Sequence, residues 1–175
     1  MTLADDRQFP AALAAAMVSP FDYAGGNGVD FEPFTAFLSA EETTDWFRAW
    51  TGNSELDGKG FRVFGQDGSG GYAAFWLVRQ GARLADQPVV FLGSEGETGV
   101  IARDLGSFLW LLAAGFGPWE AATSYEPGWT PRQNHDLTAI AERFAPNQRQ
   151  PARTVIGQAA AEFPHFDDTI MELCR

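Results

Sequence analysis

The residues best suited to chemistry lie in a glycine-rich segment, residues 67–71, which reads Asp-Gly-Ser-Gly-Gly. A serine in such a turn can act as a nucleophile when a histidine beside it accepts its proton. Trypsin-like proteases carry the related order Gly-Asp-Ser-Gly-Gly, but here the aspartate and the first glycine are transposed, and both histidines, His135 and His165, lie far downstream. The chain is also short for the two β-barrels of those enzymes. We interpret the segment as a glycine hairpin, with a hydrolase of unrecognised type as an alternative because triad order varies among folds.

The sequence also offers two weak candidates for ion binding. A phosphate-binding loop requires Gly-Lys-Ser/Thr, and the only lysine is Lys59, outside the glycine segment. Residues 53–58 imitate the start of a calcium loop, but its twelfth position, which needs a bidentate glutamate, is Phe64. His135 and His165 stand near predicted helix ends with no second and third ligand nearby. We therefore predict a turn at 53–58 and no catalytic residue, cofactor or metal site.

Four short apolar segments predict the strands that must carry these turns. In residues 72–79 both alternating sets of side chains are apolar, which predicts a central strand covered on both sides. The segments are about ten residues apart, too close for crossover helices, so they predict antiparallel hairpins. The predicted strands are residues 61–64, 72–79, 89–92 and 99–102.

Helices are predicted before the sheet. The first starts at Pro10, which suits the first helical position, and ends before Pro20. Residues 39–42, Ser-Ala-Glu-Glu, form a capping box for a second helix, which runs to about Trp50 with Gly52 just past its end. Its aromatic residues share one face, which we predict packs on the sheet, with a partner-binding stripe as the alternative. These aromatic residues are Trp46, Phe47 and Trp50.

More helices are predicted after the sheet. Asp104 caps a helix that Gly115 stops, and two apolar stripes at helical spacing end before Pro146 and Pro164, followed by a short helix from Asp167. Residues 116–119 and 125–131 are turn-rich and aromatic, and either wrap the sheet edge or form an exposed patch. The sequence thus predicts an antiparallel meander sheet of four or more strands packed by N-terminal and C-terminal helices.

Composition is typical of one globular domain of 175 residues with a core rich in phenylalanine and tryptophan. The only cysteine, Cys174, excludes an internal disulfide and fits a reducing cytoplasm. Residues 9–18 are apolar, but acidic residues precede them and the run is too short to span a bilayer. We expect a cytoplasmic protein that inserts into no membrane.

The net charge of −11 is distributed unevenly along the chain. Residues 1–60 carry ten acidic and three basic side chains, a balance of −7. Such a skew repels phosphate backbones, so nucleic-acid binding is not expected. It favours solubility, and it also favours docking onto a basic protein through complementary potentials.

The middle of the chain resembles the SUKH superfamily, which includes fungal cell-wall-assembly regulators and many bacterial immunity proteins. Members commonly show a glycine-rich turn before a strand, a Pro-Val-Val strand leading to an acidic turn, and a helix with the pattern Ala-x-x-Leu-x-x-Phe-Leu. Here these features are residues 64–72, 87–97 and 100–109. The resemblance covers residues 60–115, and nothing after residue 116 matches.

The resemblance implies an α+β fold and no enzymatic activity. We expect one SUKH-like domain over residues 1–175, with residues 116–175 as a helical C-terminal extension of it. The resemblance further implies a protein that binds and neutralises a polymorphic toxin, often a nuclease, whose basic domain would be the partner. A regulatory or scaffold module for cellular proteins is the alternative. The turns suggest four residues for the partner-binding surface: Asp67, Tyr72, Glu95 and Glu97.

Overall fold

The computed structural model describes residues 6–123 and 129–175, which form an α+β fold around one antiparallel sheet. The strands are β1 (Glu32–Pro33), β2 (Phe61–Gln66), β3 (Tyr72–Trp76), β4 (Val89–Leu92) and β5 (Thr98–Ala102). The helices are α1 (Ala11–Met17), α2 (Ala40–Thr51), α3 (Leu105–Ala113), α4 (Pro118–Ala122), α5 (His135–Phe144), α6 (Ala152–Glu162) and α7 (Phe166–Leu173). Three short 3-10 turns complete the set: Ala24–Gly26, Leu84–Asp86 and Pro146–Gln148.

The strands follow one another in chain order, β1-β2-β3-β4-β5, and every neighbouring pair is antiparallel. The predicted meander of four strands is therefore confirmed, with β3 in the centre. The structure adds β1, which pairs only Glu32 and Pro33 with the end of β2. A two-residue strand is too short to leave a periodic pattern, so it could not be predicted from the sequence.

Both faces of the sheet are buried. One cluster packs alternate strand residues such as Phe75 and Phe91 against α1, α3 and α5. The other packs the remaining set, including Ala74 and Val90, against α2 and α7. Val63 and Phe64 lie at a bulge in β2 and are buried on opposite faces, as expected for consecutive strand residues. Helices are therefore required on both sides of the sheet.

The central strand is shorter than predicted, because β3 ends at Trp76 and residues 77–79 leave the sheet. The buried side chain of Gln87 takes the place of a strand neighbour at this point. Its Oε1 accepts from the Arg79 amide at 2.9 Å, and its Nε2 donates to the Arg79 carbonyl at 2.7 Å. The apolar run in the sequence therefore extends past the end of the strand, and Leu77 is 37% exposed.

The helix boundaries follow their predicted caps closely. Ser39 and Glu42 form the predicted capping box of α2, and Gly52 ends it with φ of 66°. Asp104 caps α3 by accepting from the Ser107 amide at 2.8 Å. Pro10 is the N-cap of α1 rather than its first helical residue. Within the described residues, no helix has the length and apolar character needed to cross a bilayer.

The C-terminal third packs on the same sheet. α5 lies against α3, α6 runs along β5, and α7 covers the second face. Phe116 is buried, and the Trp129 ring lies edge-on to it with the ring centroids 5.2 Å apart. The helix α4, which was not predicted, packs against β4 and β5. The first aromatic segment thus packs on the sheet, while residues 125–128 of the second lie outside the described residues.

We predict that Gly65→Ala destabilises the fold because Gly65 sits where the sheet meets the Phe31 ring. A Cβ at this position would lie 2.4 Å from Cζ of Phe31, a buried ring that cannot easily move. Overpacking of this kind costs about 1–3 kcal/mol in the free energy of unfolding, which urea denaturation measures. Gly60→Ala is the matched control, since its Cβ would meet no atom within 4 Å. Equal stability of the two variants would contradict this account of the sheet.

Candidate protein-interaction surface

The exposed acidic side chains concentrate on one face of the molecule, formed by residues 40–60, 93–97 and 166–175. These segments hold ten acidic and three basic side chains, so they carry −7 of the total charge of −11. Nine of the ten acidic residues are exposed and Glu97 is half-buried. We call this surface the acidic face. Its acidic residues are Glu41, Glu42, Asp45, Glu55, Asp57, Glu95, Glu97, Asp167, Asp168 and Glu172.

Hydrogen bonds between distant parts of the chain assemble the acidic face. The Trp50 indole N–H donates to the Gly93 carbonyl at 2.7 Å, which ties α2 to the β4–β5 turn. Asn53 Nδ2 donates to the Leu173 carbonyl at 2.9 Å, which ties the end of α2 to the end of α7. At the other end of α7, the Thr98 hydroxyl donates to Asp167. Three separate acidic segments therefore lie side by side.

Trp46 and Trp50 of the acidic face and the adjoining Tyr72 are half-buried, and we call these three side chains the aromatic strip. The ring centroids of Trp46 and Tyr72 are 4.6 Å apart, and those of Trp46 and Trp50 are 5.9 Å apart in a stacked arrangement. Phe47, on the same helix, is buried against Phe61 of β2. The prediction that this helix packs its aromatic residues on the sheet is confirmed, yet part of the strip still reaches solvent.

Glu42 places a negative charge beside the aromatic strip. The hydrogen bond from the Ser39 backbone amide lowers the pKa of the Glu42 carboxyl, so this group is ionised at neutral pH. Burial raises the pKa of the Tyr72 phenol, and the charge of Glu42 raises it further. Arg7 approaches Glu42 to 3.8 Å and partly offsets its charge. Tyr72 thus remains a neutral phenol within an anionic surface.

Of the four residues assigned to a partner surface from sequence, Asp67 has a role inside the protein. It is only 3% exposed. Its Oδ1 accepts from the Ser69 amide at 3.0 Å, the Ser69 hydroxyl at 2.8 Å and the Gly71 amide at 2.8 Å. Asp67 therefore builds the predicted glycine hairpin and presents no carboxylate to a partner.

Glu95 and Glu97 lie on the acidic face, and Tyr72 adjoins it. Glu95 is exposed at the tip of the β4–β5 turn, and Glu97 Oε2 accepts from the Glu95 amide at 3.2 Å, so Glu97 also shapes the turn. Tyr72 belongs to the aromatic strip. The Ser94 hydroxyl donates to the Ser69 hydroxyl at 2.9 Å, which joins this turn to the glycine hairpin.

The structure brings together three carboxyl groups that sequence reasoning did not connect: Asp30, Asp67 and Glu120. Glu120 is 3% exposed, and its Oε1 accepts from the Asp30 amide at 2.7 Å. Burial, opposed by that hydrogen bond, raises the pKa of Glu120 to about 7, and the charges of Asp30 and Asp67 add to the rise. Asp67 and Glu120 are closed off from solvent, so a substrate could not reach them. No sequence signal marks Glu120, because 90 residues separate it from Asp30.

The remaining sequence candidates stay apart in space. His135 begins α5 and His165 precedes α7, both exposed, and residues 53–58 form a turn in which Asn53 Oδ1 accepts from the Glu55 amide at 3.1 Å. Over residues 6–123 and 129–175, no group of three or more histidine, cysteine or acidic side chains is placed to hold a metal ion.

The chain matches no protein-family model, and neither the curated proteins nor the solved structures contain one with significant similarity to it.

We predict that Asp67→Ala destabilises the protein and that Asp67→Asn does so far less. Alanine leaves the buried Gly71 amide without its acceptor, which costs about 1–3 kcal/mol in the free energy of unfolding. Asparagine retains an oxygen at the Oδ1 position that can accept the same bonds. Urea denaturation of both variants at pH 6 measures the difference. Equal losses would show that the hydrogen bonds to Asp67 do not hold the hairpin.

Proposed function

We propose that this chain is a non-enzymatic protein-binding domain that covers the basic surface of another protein with its acidic face. The observation that carries the proposal is the net charge of −7 on the acidic face, which adjoins a half-buried aromatic strip. We further propose that the partner is a basic toxin domain, often a nuclease, which the chain neutralises in the cytoplasm. The SUKH resemblance supports this more specific role.

Electrostatics supports a basic partner. A surface with one dominant sign of charge attracts an oppositely charged protein over a distance and raises the association rate by about ten- to a thousandfold. Ion pairs at the rim of an interface contribute more to rate and specificity than to affinity. The acidic face therefore suits fast capture of a cationic domain.

The aromatic strip supplies what charge alone does not, which is an anchor that excludes water. Tryptophan and tyrosine are enriched among the residues that dominate binding energy, and such residues cluster near the centre of an interface. Trp50 contacts the acidic β4–β5 turn, Trp46 stacks on Trp50, and Tyr72 lies near Glu42. Their rings also attract arginine and lysine side chains through cation–π contacts.

Immunity proteins of the SUKH superfamily are often encoded beside the toxin that they neutralise, so binding to the protein encoded by the neighbouring gene tests the proposal. We expect a dissociation constant of about micromolar or lower. The affinity should fall between low and moderate salt because salt screens the charge pairs. Binding weaker than micromolar in both salts would contradict the toxin-neutralising role. In affinity capture from the host, one basic toxin would support that role, whereas several cellular proteins would favour the regulatory or scaffold alternative.

We predict that the double variant Asp45→Lys/Glu95→Lys slows association with the basic partner by about tenfold or more and flattens its salt dependence. Both residues are exposed on the acidic face, and neither carboxylate supports a described hydrogen bond. Stopped-flow or surface-based kinetics at two salt concentrations measure the effect.

The matched control is Asp136→Lys/Glu142→Lys on α5, which changes the net charge by the same amount at exposed positions outside the acidic face. It should alter the association rate much less. Equal effects of the two double variants would mean that net charge, and not the acidic face, guides the partner.

We predict that Trp46→Ala raises the dissociation rate of the complex by about tenfold or more, as expected for a central aromatic anchor. Trp119→Ala is the control, because Trp119 is 36% exposed on α4 and lies outside the acidic face. Thermal unfolding of both variants separates loss of binding from loss of fold. An unchanged dissociation rate in folded Trp46→Ala would remove the aromatic strip from the interface.

A further inference from the structure

The carboxyl group of Glu120 is buried and only half satisfied. Its Oε1 accepts from the Asp30 amide at 2.7 Å, while Oε2 is buried without a hydrogen-bond partner among the described residues. A Cβ on Gly117 would lie 2.6 Å from Oε2, so the backbone packs tightly there. Burying an ionised carboxylate without compensating partners is strongly unfavourable.

The titratable groups that face Glu120 are also acidic. Asp30 and Asp67 are the charged groups that act on it, from the loop before β1 and from the glycine hairpin. The strands against which α4 packs, β4 and β5, carry no titratable side chain, and neither does the rest of α4. Negative charge on Glu120 would therefore meet two further negative charges and no described cation.

This carboxyl joins three segments that are distant in sequence. Glu120 holds α4 to Asp30, and Asp30 Oδ1 accepts from the Gly68 amide at 2.8 Å, which holds the loop before β1 to the glycine hairpin. Asp67, next in the chain to Gly68, shapes the same hairpin. We call this arrangement of Asp30, Asp67 and Glu120 the carboxyl joint.

We propose that the carboxyl joint is a pH-sensitive latch, closed when Glu120 is protonated and loosened when Glu120 loses its proton. Loosening separates α4 from the loop before β1 and from the glycine hairpin. The proposal does not depend on the identity of any partner.

The pKa of Glu120 sets the pH range of the latch. The pKa is raised from an ordinary value of 4.5 to about 7 in the folded protein. The protonated Glu120 carboxyl stabilises the folded protein because the folded state holds this proton more tightly than the unfolded chain does. This stabilisation is complete below about pH 4.5, declines as the pH rises above that value, and is gone once the pH has passed about 7. The proton leaves the folded protein near neutrality, so the joint responds there.

Glu120→Gln tests the latch, since glutamine has nearly the same shape and cannot ionise. Thermal unfolding of the wild type and the variant from pH 5 to pH 8 is the measurement. We expect the wild type to lose about 5 °C or more in Tm relative to Glu120→Gln across this range. Glu55→Gln, at an exposed loop position, is the control and should leave the wild-type pH profile in place.

Two direct readouts on the wild-type chain keep the test valid if Glu120→Gln fails to fold. Carbon-13 NMR of the glutamate carboxyl groups should show one group that titrates near pH 7. Hydrogen exchange at the Asp30 amide, corrected for intrinsic base catalysis, should accelerate above that pH. A Glu120 carboxyl that titrates below pH 5, or parallel Tm profiles for wild type and Glu120→Gln, would overturn the proposal.

Discussion

The burial of the sheet on both faces is the constraint on which the rest of the structure depends. β2, β3 and β4 place apolar side chains on both faces, so neither face can be left to solvent. The chain supplies α1, α3 and α5 for one face and α2 and α7 for the other. The positions of α2 and α7 follow from this packing, and the outer sides of these two helices, which carry six of the ten residues of the acidic face, must be polar.

Much of this architecture could be predicted from the sequence because its signals are local. The capping box at Ser39, the Asp104 cap and the alternation in β2–β5 each depend on residues a few positions apart. Where prediction was wrong, a distant contact decided the outcome. β3 stops at Trp76, and beyond it the Gln87 side chain, in place of a neighbouring strand, satisfies the backbone of Arg79.

The candidate site was less predictable for the same physical reason. Glu95 could be assigned to a turn and Trp46 to a helix face, but their membership in one surface requires the Trp50–Gly93 and Asn53–Leu173 hydrogen bonds. These bonds span 43 and 120 residues, distances over which composition and periodicity carry no information. Asp67 failed as a surface candidate because an aspartate in a glycine turn either faces solvent or bonds its own backbone, and only packing decides between them.

The acidic residues of this chain thus divide into two physical classes. On the acidic face, the carboxyl groups are mostly exposed to solvent, and their summed field acts at a distance. In the carboxyl joint, burial opposes ionisation of Glu120, so its charge depends on pH. Hydrogen bonds connect the two classes, since Ser94 donates to Ser69 and Ser69 donates to Asp67. Two hydroxyl groups therefore link the joint to the turn that carries Glu95.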